Sequence, residues 1–282
     1  MICCLHSRIG LGLALVTSFI STGVRAENAD AKNQAEVTTS VLGDLQLSIG
    51  LKLHPNRTTA ISGSAINTTS GPALVADRFR SGTELTYIPI FSARYKNLFV
   101  SASHLAATSY STLSDVIPGD VNFDRNETDV NVGYYVLPGL ALSVGYKELK
   151  VGGLQQGNVK FSGPTVGVSG YGSMGKGFGL YGNFAYGKLD LSPTEPLPDA
   201  NRNTYTAVEV GIAYSFDLGE SARFIKSVSV TLGYRQQHIE GDKSVTLAKV
   251  ADVGAGPVVV GTTNTRFENT SRGPVLGLVV SF

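Results

Sequence analysis

The segment from Arg272 to Phe282 alternates between large apolar and small or polar side chains. Counting back from residue 282, every second position is large and apolar: Phe282, Val280, Leu278 and Leu276. Successive side chains of a β-strand point to opposite faces, so this pattern predicts a strand with one apolar face. A chain organised around such strands must find apolar surroundings for one face of a sheet.

The same alternation recurs along the chain and is clearest in Leu45–Leu53. We count about ten such segments, each near the ~9–11 residues that a tilted strand needs to cross a bilayer. Short connections follow the even strands and long ones the odd strands, with long loops expected at residues 54–84, 109–127 and 241–265. This pattern predicts an all-β fold, a transmembrane antiparallel up-and-down β-barrel of about ten strands. A further hairpin within residues 241–265 would make twelve.

The beginning of the chain has the pattern of an export signal. A basic start, a short apolar run and small residues at Val24 and Ala26 predict a secretory signal peptide over residues 1–26. Residues 27–44 are then a polar periplasmic lead-in, and residues 45–282 form the barrel. Cleavage removes both cysteines and two of the 23 basic residues. The remaining 21 basic residues face 22 acidic ones, so the net charge is about −1. This charge disfavours a nucleic-acid partner.

Alternating strands that close on a terminal Phe282 resemble the Gram-negative outer-membrane β-barrels, including small porin-like ones. In that family the closing strand is the signal read by the barrel assembly machinery. The resemblance therefore implies that Phe282, Val280, Leu278 and Leu276 form an assembly signal. It also implies localisation in the cell outer membrane, with outer-membrane lipid and lipopolysaccharide as partners. Two aromatic girdles are expected, with members at the periplasmic strand ends (Tyr95, Phe178, Phe216, Phe282) and the outer ends (Tyr87, Tyr146, Tyr186, Tyr234).

Strand parity places a second group of side chains inside the barrel. The pore-lining candidates are Lys52, Arg94, Asn131, Lys147, Glu209 and Arg235. Charges of both signs can pair into a closed interior or line a water path, and many small inward residues favour some internal water. The sequence thus predicts either a narrow porin-like channel or a structural barrel with extracellular loops. A surface-binding protein that acts through residues 54–84 and 241–265 is the alternative.

Signals for catalysis and metal binding are weak. His238, Glu240 and Asp242 cluster at the outer end of one strand, where a His beside an acid could act as a general base. The surrounding sequence does not match the omptin proteases, so a hydrolase at the barrel rim is only a minor alternative to a protein that is not an enzyme. The stretch 120–126 alternates oxygen ligands but lacks the glycine and the final acid of a calcium loop, which favours a solvated outer loop. No metal and no cofactor are predicted.

Overall fold

The computed structural model describes residues 45–117, 119–154, 157–192, 202–218, 224–252 and 256–282. The predicted signal peptide and lead-in lie outside these residues. Thirteen strands are found in the described ranges: β1 (Leu45–Thr68), β2 (Gly71–Ser81), β3 (Glu84–Tyr95), β4 (Leu98–Ser114), β5 (Asp120–Leu137), β6 (Leu140–Leu154), β7 (Gly157–Gly175), β8 (Phe178–Ser192), β9 (Arg202–Asp217), β10 (Ser227–Gly241), β11 (Val245–Asp252), β12 (Pro257–Thr265) and β13 (Glu268–Ser281).

Ten of these strands close into an antiparallel barrel, which confirms the predicted fold class. The ring runs from β1 through β3 to β10 and then through β13 back to β1. The two-residue turns Lys96–Asn97, Pro138–Gly139 and Lys176–Gly177 lie at one end, which we call the turn end, together with Leu45 and Phe282. Lys176 and Gly177 both have positive φ, as a two-residue hairpin turn requires. The opposite end is called the loop end.

Two extra hairpins rise above the ring at the loop end. The upper half of β1 pairs with β2 from Thr59↔Arg80 to Thr68↔Gly71. The β11–β12 hairpin touches β2 through a single parallel bridge, Ala248↔Val75. Because β13 pairs directly with both β10 and β1, this second hairpin adds no strands to the ring, and the count stays at ten.

The long loops predicted at residues 54–84 and 109–127 were therefore wrong. β1 continues to Thr68, and β4 and β5 pair up to Leu113↔Asp120. These segments are rich in Ser, Thr, Asn and Asp, so they lack the apolar alternation that indicates a strand. Their backbone groups still pair across the sheet, because polar side chains on both faces do not prevent a hydrogen-bonded ladder.

The outward face of the ring carries an exposed apolar band. On β1 it is formed by Leu47, Ile49 and Leu51, and on β13 by Leu276 and Leu278. Outward aromatic side chains mark both edges of the band, at the turn end (Tyr95, Phe178, Phe216, Phe282) and toward the loop end (Tyr87, Tyr146, Tyr186, Tyr234). Within the described ranges, no helix combines the length and the apolar character that crossing a membrane requires.

Candidate functional site

All six predicted pore-lining residues lie on the inward face, but they do not form one lining. Arg94 stands apart near the turn end, where its Nε donates to the Lys96 carbonyl at 2.7 Å. Its guanidinium lies 4.1 Å from the centre of the Tyr135 ring. The other five gather near the middle of the barrel, where most of them are buried.

The first part of this central cluster is built on Glu209. Lys52 Nζ donates to Glu209 Oε1 at 2.5 Å across the barrel, and Arg235 Nη1 lies 4.0 Å from Oε2. Arg235 and Glu209 are direct register partners on β10 and β9, so the sheet itself brings these two charges together. A small cavity of about 10 Å³ beside them is lined in part by Lys52, Asn131 and Arg235.

The second part is built on Glu127, which accepts three hydrogen bonds. Arg125 Nε donates at 2.6 Å, Lys147 Nζ at 2.8 Å and Gln237 Nε2 at 3.0 Å. Lys147 also bonds both oxygens of Asp129 at 3.1 Å and is fully buried. We call the combined cluster the plug; it comprises Lys52, Arg125, Glu127, Asp129, Lys147, Glu209, Arg235 and Gln237.

Sequence reasoning missed Arg125, Glu127, Asp129 and Gln237. The first two fell in a stretch assigned to a loop, although alternate residues from Phe123 to Asn131 do share one face. On the other face, Asp120, Asn122 and Asp124 point outward as part of β5, so the expected solvated loop is a strand. No group of three or more His, Cys, Asp or Glu that could hold a metal is found in the described part of the chain.

Small inward residues make room for larger side chains rather than leaving open space. A Cβ on Gly233 would collide with the hydroxyl of Tyr181, and one on Gly211 would lie 2.7 Å from the same ring. The Asn131 amide occupies the corresponding space above Gly145. Glycine is needed at these positions because a neighbouring side chain crosses directly over the backbone.

A polar layer lies where β1 meets β13. The register places Pro55 opposite Pro274, between the pairs Leu53↔Leu276 and Arg57↔Arg272. Since proline has no N–H, the hydrogen-bonded ladder is interrupted there. Inward side chains take over: His54 Nδ1 lies 2.9 Å from the Pro274 carbonyl, and Asn56 Nδ2 donates to the His54 carbonyl at 3.0 Å.

An apolar recess opens above the plug at the loop end. Its cavity volume is about 100 Å³. Phe161 stacks on Phe267 with ring centres 5.1 Å apart, and Asn269 accepts a 3.1 Å hydrogen bond from Arg125 Nη1 at the boundary with the plug. The recess is lined chiefly by apolar side chains, among them Phe79, Phe123, Val151, Phe161, Leu247 and Phe267.

Two of the three residues of the predicted rim site, His238 and Glu240, stay close in the structure, whereas Asp242 has other partners. His238 points to the outer wall, with Nδ1 2.9 Å from Thr270 Oγ1 and Nε2 3.8 Å from Glu240 Oε2. Asp242 instead pairs with Lys188 at 2.8 Å and accepts from Thr204 at 2.7 Å. These hydrogen bonds, first from Lys188 and then from Thr204, lower the pKa of Asp242 below its usual 3.8.

Comparison with known proteins gives similarity in fold but none in sequence. No protein-family model and no curated protein matches the chain. Among the solved structures that resemble it is the outer membrane protease OmpT from Escherichia coli, with 14% identity over 84% of this chain and 97% of that chain and a TM-score of 0.48. A FadL homologue from Pseudomonas aeruginosa is 9% identical over 85% of this chain and 90% of that chain, with a TM-score of 0.36. The outer membrane protein AlkL is 14% identical over 91% of this chain and 96% of that chain, with a TM-score of 0.30. Similarities of this size give no basis for transferring an activity or a substrate.

Proposed function

We propose that the chain is an integral outer-membrane barrel that binds a small, uncharged apolar molecule in its loop-end recess. The observation that carries this proposal is an apolar recess placed directly above a closed, ion-paired plug. The proposal combines two predictions from the sequence, a closed interior and surface binding through residues 54–84 and 241–265. Both segments contribute to the recess, through Phe79 on one hairpin and Leu247 on the other.

The outer wall supports the membrane placement. Large apolar side chains such as Val144 and Leu232 are more than half exposed, and similar residues surround the ring. Monomeric soluble proteins rarely expose a contiguous apolar surface of this extent. Lipid covers such a surface without a second protein layer, and the closed sheet leaves no unpaired edge in the hydrocarbon.

The plug supports a barrel that is closed to ions. Lys147 and Glu209 have no exposed surface, and Glu127 is almost as deeply buried. In a water-filled lumen these charges would be hydrated and exposed, whereas here each is bonded to another side chain. Buried charges persist in proteins when they are paired in this way.

The recess supports an apolar ligand of modest size. Its cavity volume of about 100 Å³ approaches the ~150 Å³ of an apolar protein cavity that binds benzene. Most of its lining is aromatic or aliphatic, so burial of an apolar molecule is favourable, whereas a charged one would lose its hydration without gaining a partner.

Benzene titration, followed by NMR of labelled methyl groups, tests the proposal. We expect saturable shifts at Val151, Val159 and Leu247 in the detergent-solubilised protein. Replacing Ala60, which lines the recess, with Phe should abolish them by filling the space. The matched control Ala106→Phe, at an exposed position on β4, should preserve them. Shifts that never saturate, or that occur only at outward methyls such as Val144, would refute recess binding.

A narrow channel is the second candidate, because a cavity of about 10 Å³, room for about one water molecule, lies beside Lys52, Asn131 and Arg235. Planar-bilayer recording separates the two. A flat trace from the refolded protein is expected for the closed barrel, and stepwise conductance would favour the channel.

A further inference from the structure

The outward face changes character just beyond the apolar band. On β1 the last apolar residue before the change is Pro55 and the next outward residue is Arg57, while β13 has Pro274 followed by Arg272. Equivalent polar positions on other strands include Gln236, Lys188 and Glu148. In a membrane placement these residues lie at the level of the lipid headgroups.

Most basic side chains in this zone are already neutralised by a carboxylate. Lys150 and Lys160 both contact Glu148, at 2.7 and 2.5 Å. Lys188 contacts Asp242 at 2.8 Å. Arg266 and Arg80 follow the same rule, with Glu240 and Asp115 at 2.8 and 3.0 Å.

Arg57 and Arg272 depart from this rule. They are direct register partners on adjacent strands, and both are exposed on the outer wall. Arg57 Nε donates to Thr83 Oγ1 at 2.7 Å. Among the residues that the structure describes, neither guanidinium forms an ion pair with a carboxylate.

Like charges directly opposite each other on a sheet are destabilising. An anion that bridges both guanidinium groups removes this repulsion, and a phosphate matches their fork-shaped donor geometry. Below the pair, beyond Pro55 and Pro274, Leu53 and Leu276 offer an apolar surface to acyl chains.

We propose that Arg57 and Arg272 together bind the phosphate of a phosphorylated lipid in the outer leaflet. The lipid's acyl chains lie against the apolar band of β1 and β13. This inference rests on the outer-membrane placement proposed above, and is independent of ligand binding in the recess.

Native mass spectrometry of the detergent-solubilised full chain tests this site. The probes are bisphosphorylated lipid A, the same lipid with its phosphates removed, and inorganic phosphate. We expect binding of the phosphorylated lipid only, with affinity reduced about tenfold or more in the double variant Arg57→Gln/Arg272→Gln. Lys150→Gln, which removes an equally outward but ion-paired base, is the matched control and should bind as the unmodified protein does.

Several outcomes would overturn the site. Equal binding of the dephosphorylated lipid would show that acyl chains alone suffice, and equal weakening by Lys150→Gln would show diffuse attraction. Competition by inorganic phosphate at the same concentration as the lipid would assign the pair to free anions. If the double variant fails to fold, Arg272→Lys tests the site instead. It keeps the positive charge but loses the fork-shaped pair of donors, so we expect an affinity for the phosphorylated lipid between those of the unmodified protein and of a protein without the site. Absence of the protein from an outer-membrane fraction would instead refute the membrane placement itself.

Discussion

Replacing Glu127 with Gln tests whether the plug is a dry, paired cluster. The substitution keeps the size of the side chain but removes a negative charge that accepts bonds from Arg125, Lys147 and Gln237. Removing one partner of a buried ion pair costs about 3–5 kcal/mol. Lys147 retains Asp129 and Arg125 retains Asn269, so we expect a loss near the lower end, about 3 kcal/mol of unfolding free energy.

Glu148→Gln is the matched control on the neighbouring strand. Glu148 also contacts two bases, Lys150 and Lys160, but the lysine side chains are 58% and 41% exposed. Exposed pairs contribute below about 1 kcal/mol, so this variant should lie close to the unmodified protein.

Equilibrium urea unfolding of the refolded barrel in detergent gives both values, with circular dichroism and heat-modifiable gel migration as independent readouts. Equal effects of the two substitutions would refute the reasoning, since they would mean that water screens Glu127 as well as it screens Glu148. A loss below about 1 kcal/mol for Glu127→Gln would have the same meaning.

Three further predictions concern the outer wall and the ends of the strands. Because the pKa of Asp242 is lowered in the folded state, its ionised carboxylate should stabilise the fold above pH 3.8, and this contribution should be lost as the pH falls below that value. In Lys188→Met, an NMR titration should show the pKa of Asp242 move up toward 3.8. An unchanged pKa in this variant would contradict the role of Lys188. Phe282→Ala should lower the amount of assembled protein in the outer membrane while leaving spontaneous refolding in detergent intact, as judged by heat-modifiable migration in both settings; unchanged assembly would remove the assembly-signal role. His238→Ala should leave any hydrolase activity of the purified protein unchanged, and loss of a measured activity would instead favour the rim hydrolase.

The outward half of the barrel could be predicted from sequence because it follows a local rule. Alternation along each strand is visible within about ten residues, and it placed Leu278 and Tyr234 outward and Lys52 and Glu209 inward. Parity, however, cannot tell which inward residues meet. Lys52 and Glu209 are 157 positions apart, and their contact depends on the curvature of the whole ring.

The β1–β2 hairpin was missed for a different physical reason, whereas the hairpin considered within residues 241–265 is present as β11–β12 outside the ring. Above the apolar band the outward face of the strands turns polar, while apolar side chains such as Phe123 and Phe161 point inward into the recess, so the outward-apolar alternation of the lower strands ends there. Arg125 and Glu127 lie at this transition, which is why the centre of the plug was assigned to a loop. The recess depends on where β11 and β12 fold relative to β2, through a bridge at Ala248 and Val75 that no local pattern encodes.

The facing prolines between β1 and β13 also affect how the cylinder assembles and comes apart. This junction joins the first and last strands of the ring, as the contact between Ser48 and Ser281, 233 positions apart, shows. Contacts between such distant segments form late, because a long chain must be closed first. With two opposed residues unable to donate, this late-forming junction also lacks main-chain bonds in its middle. Amide exchange should therefore be faster along this junction than along β9–β10, whose register is continuous from Ser227↔Asp217 to Gly241↔Asn203. Opening of the wall should start between the two terminal strands.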